Sequence, residues 1–86
     1  MEKVRVYTIL NCPYCTELKE IFTTENIEFI DINVSLPENE KEYNDLHELI
    51  KSDDVPVIKV GKQILVPNVS FNSIRQAVDI TKSFLV

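Results

Sequence analysis

The chain holds one glycine, one histidine and two cysteines, and each scarcity excludes something. Secreted mini-proteins hold themselves together with four or more cysteines closing long loops, so this is not a disulfide scaffold. A structural zinc ion wants four ligands, and Cys12, Cys15 and the distant His47 offer three at most. His47 neighbours the apolar stripe of a helix and reads as a partly covered surface residue, so no metal is expected. No apolar run approaches the roughly 18 residues of a membrane span. Residues 1–10 lack the pattern of a secretory signal, which leaves a cytoplasmic protein with no membrane partner as the expectation. Basic residues are outnumbered: nine Lys and Arg against 14 Asp and Glu give a formal net charge of −5. Nucleic acid calls for a basic face, so no nucleic-acid partner is expected. Glu38, Glu40, Glu42, Asp45, Asp53 and Asp54 read as solvated surface.

What is present is ordinary globular composition, 44% hydrophobic over 86 residues. A chain of this length forms one small domain, here residues 1–86, and buries roughly 60% of its unfolded surface. A monomer is expected. The chemistry concentrates in ILNCPYCTEL (9–18), which holds both sulfurs. A bridge between Cys12 and Cys15 closes about the shortest loop available. Chain entropy gives such a loop roughly 2 kcal/mol, against about 3 for a 15-residue loop. Two sulfurs that join and part easily suit redox exchange better than stabilisation.

The elements around the pair follow from periodicity. VRVYTI (4–9) is β-branched and aromatic and predicts a strand, broken by Asn11. From Pro13 the apolar positions are Cys15, Leu18, Ile21 and Phe22, one face of a helix. IEFIDINV (27–34) is nearly continuously apolar, as a strand covered on both faces would be. Pro37 opens a second helix with Tyr43, Leu46, Leu49 and Ile50 on its buried face. VIKV (57–60) and QILV (63–66) flank Gly61-Lys62, a type II′ hairpin. Ser73 and Gln76 form a capping box for a last helix whose stripe is Ile74, Ala77, Val78 and Leu85. Val55-Pro56 precedes the third strand, where a proline that cannot donate to the ladder is tolerated. The order is β-α-β-α-β-β-α.

Pro13 fits the first helical position, which makes Cys12 the N-cap. The unpaired N–H groups and positive end of the helix then face its sulfur and favour thiolate. Cys15 lies one turn inside on the buried side. This asymmetry makes Cys12 the attacking thiol and Cys15 the resolving one.

With NCPYC after the first strand and Val55-Pro56 before the third, the chain resembles the glutaredoxins, within the thioredoxin fold. The resemblance runs from Val4 to the last helix. It implies an α/β thioredoxin fold: a four-stranded mixed sheet flanked by three helices. It implies a cis Val55-Pro56 bond facing the cysteines, and a substrate groove lined by Pro13, Tyr14, Val55 and Pro56. It also implies disulfide-containing proteins as partners, glutathione as co-substrate and no tightly bound cofactor. The chain departs from the family where glutathione is held. Ile9 stands where many members have lysine, Asp54 (after Asp53) where they have threonine, and VPNVSFNS (66–73) where they have Gly-Gly-x-Asp. Ser70-Phe71-Asn72 is similar to the Gly-Phe-x of redoxins fed by thioredoxin reductase, which donate to ribonucleotide reductase. Thioredoxin reductase is therefore the alternative electron donor. A [2Fe–2S] cluster shared by two chains through Cys12 is a third reading, opposed by Cys15.

Overall fold

The computed structural model describes residues 4–85. The first strand, β1 (Val4–Thr8), is central, and helix α1 (Pro13–Thr24) follows it. Then come β2 (Phe29–Asn33), a short 3₁₀ turn (Pro37–Asn39) and α2 (Glu40–Ile50). β3 (Val57–Val60), β4 (Gln63–Leu65) and α3 (Ile74–Phe84) complete the chain. The sheet order is β2-β1-β3-β4, with β2 parallel to β1 and the other two pairings antiparallel. This is the α/β thioredoxin arrangement expected from the element order.

Because strand side chains alternate between faces, β1 feeds two cores. Val4 and Val6 pack with Leu18 and Phe22 of α1, Ile58 and Val60 of β3, and Ile74, Ala77 and Val78 of α3. Tyr7 points to the other face, against Ile32, Leu46 and Val57 beneath α2. Arg5 shares that face and reaches Glu42 of α2 through two bonds of 2.9 Å, while the Tyr7 hydroxyl donates to the same carboxylate at 2.6 Å. Burial and the Glu42 carboxylate push the Tyr7 phenol up to about 12, with Arg5 pulling the other way. Glu42 is held below the usual carboxylate range, first by its bond from Arg5. On the α1 face, the buried Thr8 hydroxyl donates to Asp31 at 2.6 Å, and Lys19 meets the same carboxylate at 2.9 Å.

Four expectations need correction. β2 is an edge strand whose Ile30 and Asp31 are exposed, so only Ile32 is buried there; the strands covered on both faces are β1 and β3. Pro37 opens a separate 3₁₀ turn, and α2 proper begins at Glu40. Leu49 is 72% exposed, because it sits roughly 100° around the helix from the middle of the Tyr43–Leu46–Ile50 stripe. Leu85 is the exposed C-cap of α3, and the place it was expected to fill belongs to Thr81. Thr81 can lie in a core because its hydroxyl donates to the Ala77 carbonyl at 2.8 Å. The β3–β4 turn is as expected: Gly61 has φ 60°, with no positive φ at Lys62, which matches II′. The single glycine is spent there. The other positive-φ positions are Asn11, Asn26, Asn68 and Lys51, and asparagine tolerates that region better than most residues.

Helices α1 and α3 are tied at one end by Glu25, which accepts from Arg75 at 2.8 Å and Lys82 at 2.6 Å. Arg75 and Lys82 hold the Glu25 carboxyl down at about 2, against an ordinary value of 4.5. A depressed carboxylate stabilises the fold above its unfolded value, and that stability is lost as pH falls through the folded one. Wild type should therefore be more stable than Glu25→Gln at neutral pH, with the gap closing between about pH 4.5 and about pH 2. Thermal melts of both proteins across that range check this; a gap independent of pH would mean the clamp contributes nothing through charge.

Candidate active site

The topology delivers three chain segments to one end of the sheet. β1 ends at Thr8 and leads through Asn11 to α1. Because β3 is antiparallel to β1, its first residue Val57 pairs with Tyr7, and Val55-Pro56 arrives beside the start of α1. β4 pairs Leu65 with Ile58, so the loop 66–73 and the first turn of α3 reach the same end.

Cys12 is the N-cap of α1, with extended backbone at φ −107° and ψ 104°, and Pro13 opens the helix. Its sulfur accepts the N–H of Cys15 at 3.2 Å. An N–H aimed at sulfur favours the negative form over the thiol. Cys12 is half-buried and Cys15 is 1% exposed, which is the asymmetry expected from the spacing. Their Cα atoms are 5.2 Å apart, inside the range where a disulfide closes.

Beside the pair lies an open groove of about 360 Å³. Tyr14 lines one wall, Asp54, Val55 and Pro56 the floor, and Pro67, Phe71 and the first residues of α3 the far wall. Val55-Pro56 is cis. Pro56 is buried, and Val55 lies outside the β1–β3 ladder, which begins at Val57. Among the described residues its N–H and C=O enter no turn bond either. Of the sequence-predicted site residues, Tyr14, Val55 and Pro56 line this groove, and Pro13 is exposed at the helix start next to them. Of the two aspartates only Asp54 lines the groove. Asp53 turns away to His47, whose Nε2 lies 2.9 Å from its carboxylate. His47 packs on the Tyr43 ring and is half-buried, the role expected for it.

The stretch 66–73, which stands where the family has Gly-Gly-x-Asp, forms the loop between β4 and α3. The loop is bonded to itself: Asn68 N–H donates to Phe71 C=O, Ser70 N–H to Val66 C=O and Val66 N–H to the Ser70 hydroxyl. Its signal is the VPN turn, with Asn68 at φ 64°. At the start of α3, Gln76 N–H donates to the Ser73 hydroxyl, and Asn72 N–H donates to the Gln76 side chain at 2.7 Å.

The glutaredoxin family profile matches residues 4–65. The chain belongs to the glutaredoxin family. As a glutaredoxin it is 35% identical over 63 residues to an uncharacterized glutaredoxin-like 8.6 kDa protein in the rubredoxin operon of Clostridium pasteurianum, covering 73% of this chain and 81% of that one. In structure it is similar to a buckwheat glutaredoxin–glutathione complex, with TM-score 0.69, 13% identity, and 96% of this chain and 71% of that one covered. The dithiolic glutaredoxin of Trypanosoma brucei brucei is similar too, with TM-score 0.68, 18% identity and coverage of 96% and 80%. The chain thus has the fold of a glutaredoxin-like thiol oxidoreductase, with its two cysteines brought together at the start of α1.

The capping box should be a measurable part of the groove wall. Ser73→Ala should cost about 1 kcal/mol, the usual loss for a Ser N-cap. Urea denaturation with an unchanged slope checks it; a loss near zero would mean the Ser73 cap contributes nothing to the stability of the helix.

Proposed function

We propose that the chain is a dithiol thiol-disulfide oxidoreductase acting on protein disulfides and glutathione-mixed disulfides. The observation that carries this is the half-buried Cys12 sulfur capping α1, with Cys15 buried one turn away. The Cys12 thiolate attacks one sulfur of the substrate. That S–S bond breaks, and the other sulfur leaves as a thiolate that takes a proton from solvent. Cys15 then gives up its proton and attacks the Cys12 sulfur, which releases the second substrate thiol and leaves a Cys12–Cys15 disulfide. The two electrons gained by the substrate come from the dithiol, and an external thiol or reductase restores it. Tyr14 and Pro13 flank the incoming sulfur, while Val55, beside Pro56, offers free backbone groups to an extended substrate.

Glutathione is one donor, a reading suggested by the fold shared with the glutathione-bound buckwheat protein. A reductase-fed role, with ribonucleotide reductase among the acceptors, is favoured by the carboxylate of Asp54 in the groove and by Ile9 at the end of β1. Glutathione carries two carboxylates and one ammonium, so an unpaired acid in the groove weakens it. Mixing the oxidised protein with NADPH and either reductase system decides the donor: the system that consumes NADPH is the physiological class.

Cys12→Ser should abolish all exchange, since no other exposed thiolate exists in the chain. Cys15→Ser should keep attack on glutathionylated peptides but lose reduction of protein disulfides and accumulate a mixed disulfide at Cys12, seen by mass spectrometry. If Cys15→Ser were the more damaging change for glutathionylated peptides, the two roles would be reversed.

A further inference from the structure

The groove beside Cys12 carries one charge. Its walls are tyrosine, proline, valine, phenylalanine, isoleucine and neutral polar residues, apart from Asp54. No lysine or arginine lines it. Among the described residues Asp54 joins no ion pair; Glu17, Glu20, Glu28, Glu38 and Glu40 join none either, but of these unpaired acids only Asp54 lines the groove. At the start of α3 the Gln76 N–H donates to the Ser73 hydroxyl and the preceding Asn72 N–H to the Gln76 side chain, while the N–H groups of Ser73, Ile74 and Arg75 enter no bond among the described residues. The groove lining therefore holds one carboxylate and no cationic side chain to offset it. Its apolar wall, Phe71, Ile74 and Pro67, suits the aliphatic stem of a long basic side chain, which packs on apolar surface while its head stays solvated.

We propose that Asp54 makes the groove selective for disulfides whose cysteine is flanked by lysine or arginine, so that the preferred substrates are basic segments of protein or peptide disulfides. This rests on the reading of Cys12 as the attacking thiol and adds its substrate class. Val55 holds the substrate backbone beside the reacting sulfur, and Asp54, the preceding residue, meets the side chain next to the substrate cysteine. The electron balance of the exchange is unchanged; charge acts on encounter and on the mixed-disulfide complex.

An exposed ion pair contributes roughly 0.2–1 kcal/mol, which corresponds to about a 1.5- to 5-fold preference. The test uses symmetrical disulfides of three acetylated, amidated tripeptides, Lys-Cys-Ala, Gln-Cys-Ala and Glu-Cys-Ala. Reduced protein is mixed with each, and the rate of Cys12–Cys15 disulfide formation is followed by acid quench and mass spectrometry. Neighbouring charge also alters each peptide's own reactivity, so the quantity read is the change in the Lys-to-Glu rate ratio between proteins. Asp54→Asn should lower that ratio about 1.5- to 5-fold and Asp54→Lys should lower it further. The effect should shrink in high salt, as screening at physiological ionic strength already acts beyond about 8 Å. Glu28→Gln is the control for bulk charge. It sits just before Phe29, which pairs with Val4 at the end of the sheet away from Cys12, and should leave the ratio unchanged. An unchanged ratio in Asp54→Asn overturns the proposal, as does an equal fall in Glu28→Gln. Failure of wild type to react with any of the three peptides defeats the oxidoreductase reading itself, and is thereby distinguishable from loss of selectivity alone.

Discussion

The rest of the structure depends on β1 being covered on both faces. Val4 and Val6 commit one face to α1 and α3, while Tyr7 and Arg5 commit the other to α2. A strand fixed in this way cannot slip by one residue without moving every apolar side chain to the wrong face. Its end is fixed for the same reason, and Cys12 follows that end by four residues. The antiparallel partner β3 then has no freedom over where Val55 and Pro56 lie, since Val57 must pair with Tyr7. The redox pair and its groove are set by strand register more than by contacts within the site itself.

The parts of this arrangement that rest on one residue's local chemistry were legible in the sequence. Pro13 marks the start of α1, Gly61 the tight turn, Ser73 with Gln76 the start of α3, and each stands where it should. The Cys12–Cys15 asymmetry was legible too, because three positions along a helix separate a cap from an inward-facing residue. What the sequence left hidden depends on neighbours far along the chain. The apolar content of 27–34 suggested a central strand, yet β2 lies at an edge, and sheet order is not written in a strand's own composition. Leu49 and Leu85 showed apolar character without position. Thr81 showed the converse, a polar residue admitted to the core by a bond to its own helix.

The polar groups at the two cores behave alike, although they lie on opposite faces of the sheet. Glu42 gathers Arg5 and Tyr7, and Asp31 gathers Thr8 and Lys19. In both cases one carboxylate serves a buried hydroxyl and a long cation, so the hydroxyl is satisfied and the charge is compensated. A buried hydroxyl left alone would cost roughly 1–3 kcal/mol, which makes each carboxylate a requirement of the strand it serves. Burial works to raise the Asp31 carboxyl, but the bonds from Thr8 and Lys19 outweigh it and hold it low. No buried side-chain oxygen or nitrogen among the described residues lacks a partner.

Asp54 is set apart by its place in the groove rather than by the lack of a partner. Glu25, Asp31, Glu42, Asp45, Glu48 and Asp79 meet lysine or arginine and Asp53 meets His47, whereas among the described residues Glu17, Glu20, Glu28, Glu38 and Glu40 join no ion pair, as Asp54 does not. Asp53 meets His47 of α2, while Asp54 lines the groove. The charge in the groove is therefore held by a segment tied down on one side and buried at Pro56 on the other. That segment places a single carboxylate in the groove without using a helix or strand to do it.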